Sequence, residues 1–164
     1  MTASKIFTPP VRLAKLVRTP GGLPVAEALE AANAGLSGMR QAALDDTRAT
    51  LSGAQAFLAK FESPNPEQIG ELYLIVSRPI GIASVCGLPG IDKVLLSSAN
   101  LLDIMKMHVR WNREPVELHI NSLALLLSNP DLSLNPDSPL VVGLQKVVDR
   151  YSAQLSSAEP PIGD

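Results

Sequence analysis

Histidine and cysteine, the side chains that most often bind metals or act as acid, base or nucleophile, are scarce in this chain. The two histidines are His108 and His119, and the only cysteine is Cys86. Neither histidine has a second metal ligand three or four residues away, as a zinc site would need. Cys86 has no histidine at a spacing that would activate its thiol. We expect His108 to cap a helix end, His119 to be a partly buried structural residue, and Cys86 to act as a small buried hydrophobe.

Neighbouring carboxylates and glycine-rich turns offer no stronger site. Asp45 and Asp46 are adjacent in a helical pattern, where successive side chains do not face each other. The sequences GLSG and GLPG lack the Lys-Ser or Lys-Thr that completes a phosphate-binding loop, and TPGG is typical of a turn. We therefore predict no enzymatic activity, no cofactor and no metal site.

The composition favours a helical domain and excludes some classes of partner. Apolar residues make up 46% of the 164 residues and aromatic residues only 4%, with Leu and Ala more frequent than the residues typical of sheets. A net charge of −2 argues against a general nucleic-acid-binding protein, because phosphate contacts need an excess of Lys and Arg. No apolar run is long enough for a signal peptide or a membrane span. We expect a cytoplasmic protein with no nucleic-acid or membrane partner.

Three regions follow from the pattern along the chain: an N-terminal arm at 1–23, a helical body at 24–128, and a loop, helix and tail at 129–164. The arm has four basic residues and no acidic one: Lys5, Arg12, Lys15 and Arg18. We interpret this charge as a contribution to solubility. An acidic partner or a membrane surface is the alternative.

Apolar residues recur every three or four positions in each long segment, which predicts helices. The first pattern runs from Val25 to Phe61, and Gly35 and Gly38 predict a break into a short helix and a longer one. Asn65 is the predicted N-cap of a helix that continues towards Val85. Further helices are predicted to about Met107, over 115–127 and over 139–155. The predicted fold is all-α, with five or six antiparallel helices, four of them in a bundle.

The stretch LYLIVSRPIGIASVCGLPG, residues 72–90, is unusual for a core helix. Pro79 and Gly81 lie in its middle, where an interior proline costs roughly 3 kcal/mol and a glycine about 1 kcal/mol relative to alanine. Some other requirement must have placed these two residues there.

Residues 20–125 resemble the bacterial histidine-containing phosphotransfer (Hpt) domain. The resemblance rests on the PGG…VAEAL entry, on Gly81 at the motif glycine, and on Gly87 and Pro89 at the later glycine and proline of the motif. The segment ELHINSLALL falls where the fourth helix of such a bundle ends. The resemblance implies an antiparallel Hpt-like four-helix bundle with extra N-terminal and C-terminal helices.

The phosphoacceptor histidine of that motif is missing. Ser77 occupies its position and Ile80 the position of the motif lysine. A serine phosphoester is too stable to pass its phosphoryl group to a receiver aspartate. The resemblance therefore implies a non-catalytic Hpt-like protein that binds a receiver or histidine kinase domain, in a two-component or chemotaxis pathway, without carrying phosphate.

The docking face implied by the resemblance consists of five residues on or beside one helical face: Ser77, Arg78, Ile80, Gly81 and Ser84. In this interpretation Gly81 leaves room for the partner, and Pro79 bends the helix. A second interpretation is that Gly81, Ala83 and Gly87 only allow close packing between helices. The alternative function is a helical scaffolding protein, unrelated to phosphorelay, that self-associates as a homodimer through an apolar face.

Overall fold

The computed structural model describes residues 21–158, which contain helices and no strand. Of the predicted arm, only residues 21–23 are among them. The helices are α1 (Val25–Lys60), α2 (Pro66–Ser77), α3 (Ile82–Val85), α4 (Pro89–Met107), α5 (Arg113–Ser128) and α6 (Pro139–Ala158), with a 3₁₀ helix at Pro130–Leu134. None of these helices is both long enough and apolar enough to cross a membrane. The all-α prediction is confirmed for this part of the chain.

Helix α1 is continuous, so the predicted break at Gly35 and Gly38 is wrong. Two glycines cost about 2 kcal/mol of helix propensity together, and the neighbouring residues are mostly strong helix formers such as Ala and Leu. The chain nevertheless divides into two compact units between Gly35 and Leu36. The first unit contributes the first turns of α1 to the described residues, and all other helices belong to the second unit.

Within the second unit, the buried face of α1 begins at Ala43. Leu36 and Met39, which the helical pattern placed on the inward face, are 45% and 53% exposed. From Ala43 onward the predicted face is buried at Ala43, Thr47, Ala54 and Leu58 and partly buried at Leu51 and Phe61. A helical period thus predicts which side of a helix is apolar, but not how far the neighbouring helices extend along it.

The start of α2 agrees with the prediction. Asn65 is the N-cap, its side chain accepts a hydrogen bond from the Gln68 N–H at 2.9 Å, and Pro66 is at the first helical position. The Gln68 side chain accepts from the Asn65 N–H at 2.9 Å, which completes a capping box. Two residues close in sequence therefore satisfy two N–H groups that α2 cannot satisfy itself.

Helix α4 is the centre of the second unit, and it packs against α2, α3, α5 and α6. Leu95 and Leu101, both predicted in the core, are fully buried. The core around α4 combines side chains from every long helix of this unit. Because α4 contacts so many elements, its side chains determine where the others lie.

Helix α6 belongs to the same core as the helices before it. Val141, Leu144 and Val148 of α6 are buried and form part of the α4 core cluster. The 3₁₀ helix before it packs on α4 and α5. The 3₁₀ helix and α6 are thus an integral part of the second unit.

Candidate functional site

The five residues of the predicted docking face do not lie on one helix. Ser77 is the last residue of α2, Arg78 is its C-cap, and Ser84 is the third residue of α3. Ile80 and Gly81 form the turn between the two helices. The prediction of one helix from Pro66 towards Val85 is therefore wrong. We call residues 77–85 the Gly81 corner.

Hydrogen bonds within the corner define a tight turn. The Ile80 N–H donates to the Ser77 carbonyl at 3.2 Å, and the Ile82 N–H donates to the Pro79 carbonyl at 3.2 Å. Pro79 has no N–H to continue the α2 hydrogen-bond ladder, which is one reason why the helix stops here instead of bending. The proline thus redirects the chain rather than kinking a helix.

The backbone conformation at position 81 explains why the residue there is glycine. Its φ is +91° and its ψ is −30°, at the third position of the turn that the Ile82 N–H closes. Residues with a side chain rarely adopt this region, whereas glycine adopts it at little cost. A Cβ atom on Gly81 would meet no atom within 4 Å. The close-packing interpretation is wrong for Gly81, and also for Gly87, which has φ +77° and similar open space.

Asp92, in the first turn of α4, fixes the corner from outside. Its Oδ1 accepts a hydrogen bond from the Gly81 N–H at 3.0 Å, and its Oδ2 accepts one from the Ser84 N–H at 3.1 Å. The side chain is buried, with the residue 9% exposed. Asp92 was not among the predicted site residues, although an acidic residue amid the apolar positions Ile91, Val94 and Leu95 was a visible signal.

The outer surface of the corner combines apolar side chains with one cation. Ile82 and Val85 are 44% and 68% exposed, and Gly81 and Ser84 are also exposed. The Arg78 guanidinium lies 3.9 Å from the Asp46 carboxylate, but its side chain is 78% exposed, so this ion pair is weak. A partner could therefore contact the corner without first disrupting the core.

His119 is fully buried, which is deeper than predicted. Its Nδ1 lies 2.7 Å from the Pro115 carbonyl, which can only accept, so Nδ1 carries the proton. Its Nε2 lies 2.9 Å from Ser97 Oγ and accepts from that hydroxyl. Burial lowers the pKa of His119, and the hydrogen bond to Pro115 offsets part of this effect. The imidazole is therefore neutral at pH 7.

Ser97 and His119 have the contact of a nucleophile and its general base, but not the exposure. Ser97 is 3% exposed and His119 0%. Ser97 lies in the middle of α4, where backbone N–H groups are used within the helix and cannot stabilise an oxyanion. The pair satisfies two polar groups inside the core. Sequence analysis missed this pairing because the two residues are on different helices.

The remaining predicted residues lie as follows. His108 is the C-cap residue of α4, which agrees with its predicted place at a helix end. Cys86 is buried, with 7% exposure, at the end of α3. No group of three or more His, Cys, Asp or Glu side chains within residues 21–158 is arranged to bind a metal ion.

An open groove lies between α5 and α6, with a volume of about 610 Å³. Glu114 and Glu117 on α5 and Arg150 on α6 are among its lining residues, with Leu118 and Val147 providing apolar surface. Leu118 and Leu125 are each 45% exposed. Because they are two helical turns apart, they lie on the same side of α5.

Comparison with protein-family models, with curated proteins and with solved structures found no match for this chain.

Proposed function

We propose that this chain is a non-catalytic protein-interaction domain that docks a receiver domain through the Gly81 corner. The observation that carries the proposal is the open corner itself, where exposed backbone at Gly81 lies beside the exposed apolar side chains of Ile82 and Val85. Exposed apolar groups close to a fixed turn are typical of protein contact surfaces.

The choice of a receiver domain rests on charge and on the Hpt resemblance. Arg78 presents an exposed guanidinium at the corner, and a receiver domain presents the carboxylate of its phosphoacceptor aspartate. Opposite charges across an interface favour the correct partner and speed its association. A histidine kinase domain, which the resemblance also implies, would be identified by the same experiment.

The finer fold assignment is part of this proposal. The Hpt-like bundle would comprise residues 36–60 of α1 together with α2, α4 and α5. Helix α6 would be the extra C-terminal helix. All five contribute to one buried core, which supports the assignment.

Ser77 supports docking without phosphotransfer. Its hydroxyl donates to the Leu74 carbonyl at 3.4 Å, a contact typical of a serine near a helix end. Its phosphoester would be too stable to pass the group on. Incubation with an active histidine kinase or a phosphorylated receiver should therefore leave no acid-labile phosphate on the protein.

The test is a titration of the purified protein with receiver and histidine kinase domains from the same genome. We expect one receiver domain to bind, and Val85→Glu to weaken that binding by about tenfold or more. Val142→Glu is the matched control, because Val142 is 41% exposed and lies on α6, outside the corner. Absence of binding to every receiver domain, or equal effects of both variants, would contradict the proposal.

Self-association is the second candidate function, and Leu118 and Leu125 favour it. Their exposed side chains on one side of α5 could pack against the same residues of a second copy. Sedimentation equilibrium should then show a dimer that Leu125→Lys dissociates. A monomer at all accessible concentrations would rule this candidate out.

A further inference from the structure

Asp92 accepts hydrogen bonds from backbone N–H groups at the start of α3, as Asn65 and Gln68 do at the start of α2. In α2, the side chains of Asn65 and Gln68 each accept a hydrogen bond from the other's backbone N–H. In α3, the N-cap is Gly81, which has no side chain to accept a hydrogen bond. The equivalent N–H groups, those of Gly81 and Ser84, both donate to the Asp92 carboxylate of α4.

A single carboxylate thus completes both halves of a capping box from another helix. The first N–H groups of any helix lack partners within it, and a carboxylate is a strong acceptor for them. Asp92 also lies in the first turn of α4, where a negative charge is favourable to the helix dipole. Its carboxylate therefore serves the starts of two helices at once.

The corner depends on this contact because α3 is too short to be stable by itself. It has four residues, whereas an isolated helix needs roughly a dozen or more to form in water. Gly81 adds conformational freedom at the same point. Burial of Ala83 holds one side of α3 to the core, and Asp92 fixes the direction in which the helix begins.

We propose that Asp92 is a positioning residue that holds the Gly81 corner in the conformation that docks the partner. This inference rests on the proposed function for the docking step. Whether Asp92 orders the Gly81 corner can be measured without any partner. Loss of Asp92 should loosen residues 81–84 and leave the α4 core in place, since Leu95 and Leu101 are held there by burial in the hydrophobic core.

The experiment compares backbone amide hydrogen exchange, measured by NMR on the whole chain, in the wild type and in Asp92 variants. In Asp92→Ala both amides lose their acceptor, and we expect exchange at Gly81 and Ser84 to be roughly tenfold or more faster. In Asp92→Asn one oxygen remains, so only one of the two amides should accelerate. Asp92→Glu keeps both oxygens and should restore part of the protection.

Asp103→Asn is the control, because Asp103 is an exposed acidic residue on the same helix. It removes the same charge and should leave exchange at Gly81 and Ser84 unchanged. Amides in the middle of α4 should keep their protection in every variant. If Asp92→Ala does not fold, the isosteric Asp92→Asn still provides the comparison.

The receiver domain that binds the wild type is then titrated against the same variants. Faster exchange at the two amides together with weaker binding supports the inference, and recovery of both in Asp92→Glu strengthens it. Unchanged exchange overturns the inference whatever the binding result. Faster exchange with unchanged binding also overturns it, because the corner's conformation would not matter for docking.

If the wild type binds no receiver, the proposed function fails, and the docking role of Asp92 fails with it. This holds even where the exchange data show that Asp92 orders the corner.

Discussion

At Gly81 an added Cβ would meet no atom within 4 Å, whereas at Gly90 it would lie 2.8 Å from the Ser133 carbonyl oxygen. The first glycine is exposed and has φ +91°, and the second is buried in the first turn of α4. Gly81 is needed for a backbone conformation, and Gly90 is needed for space. Two glycines close in sequence therefore predict different results for the same substitution.

Gly90→Ala should give the larger effect. Ser133 is fully buried, and the 3₁₀ helix packs on both α4 and α5, so it cannot easily move away from a new methyl group. We expect a loss of about 1–3 kcal/mol in the free energy of unfolding, measured by urea denaturation.

Gly143→Ala is the control for this substitution. Gly143 lies within α6, and a Cβ there would meet nothing within 4 Å. Its replacement should stabilise the protein by up to about 1 kcal/mol through helix propensity. A neutral Gly90→Ala would show that the contact with Ser133 relaxes without cost.

Gly81→Ala should cost about 1–2 kcal/mol, from backbone strain alone. Gly81→Asn should cost less, because asparagine tolerates positive φ better than alanine. Chemical denaturation of both variants gives the difference. Equal losses would mean that conformation is not what selects glycine at this position.

His119 is buried, as Gly90 is, and it should make the free energy of unfolding depend on pH. Burial lowers the pKa of His119 below its ordinary value of 6.5, so the unfolded chain takes up the proton first as the pH falls. Stability present above pH 6.5 should be lost between 6.5 and the folded-state pKa, by about 1.4 kcal/mol per pH unit. Urea denaturation from pH 7.5 to pH 5 measures this slope, and a His119→Gln variant with an equal slope would contradict the assignment.

Gly53→Ala should have the smallest effect. A Cβ on Gly53 would lie 3.3 Å from Ile75 Cγ2, so α1 and α2 approach closely there. The gain of about 1 kcal/mol in helix propensity opposes this crowding, and we expect a net change under about 1 kcal/mol. A loss as large as that of Gly90→Ala would show that the two helices cannot separate slightly at this point.

Local patterns in the sequence predicted the parts of the fold that depend on local interactions. Asn65 and Pro66 mark the start of α2 because a cap involves residues only a few positions apart. The burial of Leu95 and Leu101 follows from a helical period. These features need no knowledge of distant residues.

Contacts between distant residues were not predictable in the same way. The break at Pro79 and Gly81 is stabilised by Asp92, which lies on another helix. The pairing of Ser97 with His119 likewise joins α4 to α5. The sequence analysis named Gly81 correctly as unusual, but placed it on a continuous helix, because the reason for its conformation lies outside its own segment.

The most direct test of docking at the corner is Gly81→Glu, with melting temperature and receiver affinity measured on the same protein. The open space around Gly81 lets the carboxylate point to solvent, so we expect only a modest fall in melting temperature, similar to that of Gly81→Ala. Receiver binding should weaken strongly, because the added side chain would occupy the docking surface and place a negative charge there. A folded Gly81→Glu protein that binds the receiver as tightly as the wild type would contradict the proposed interface.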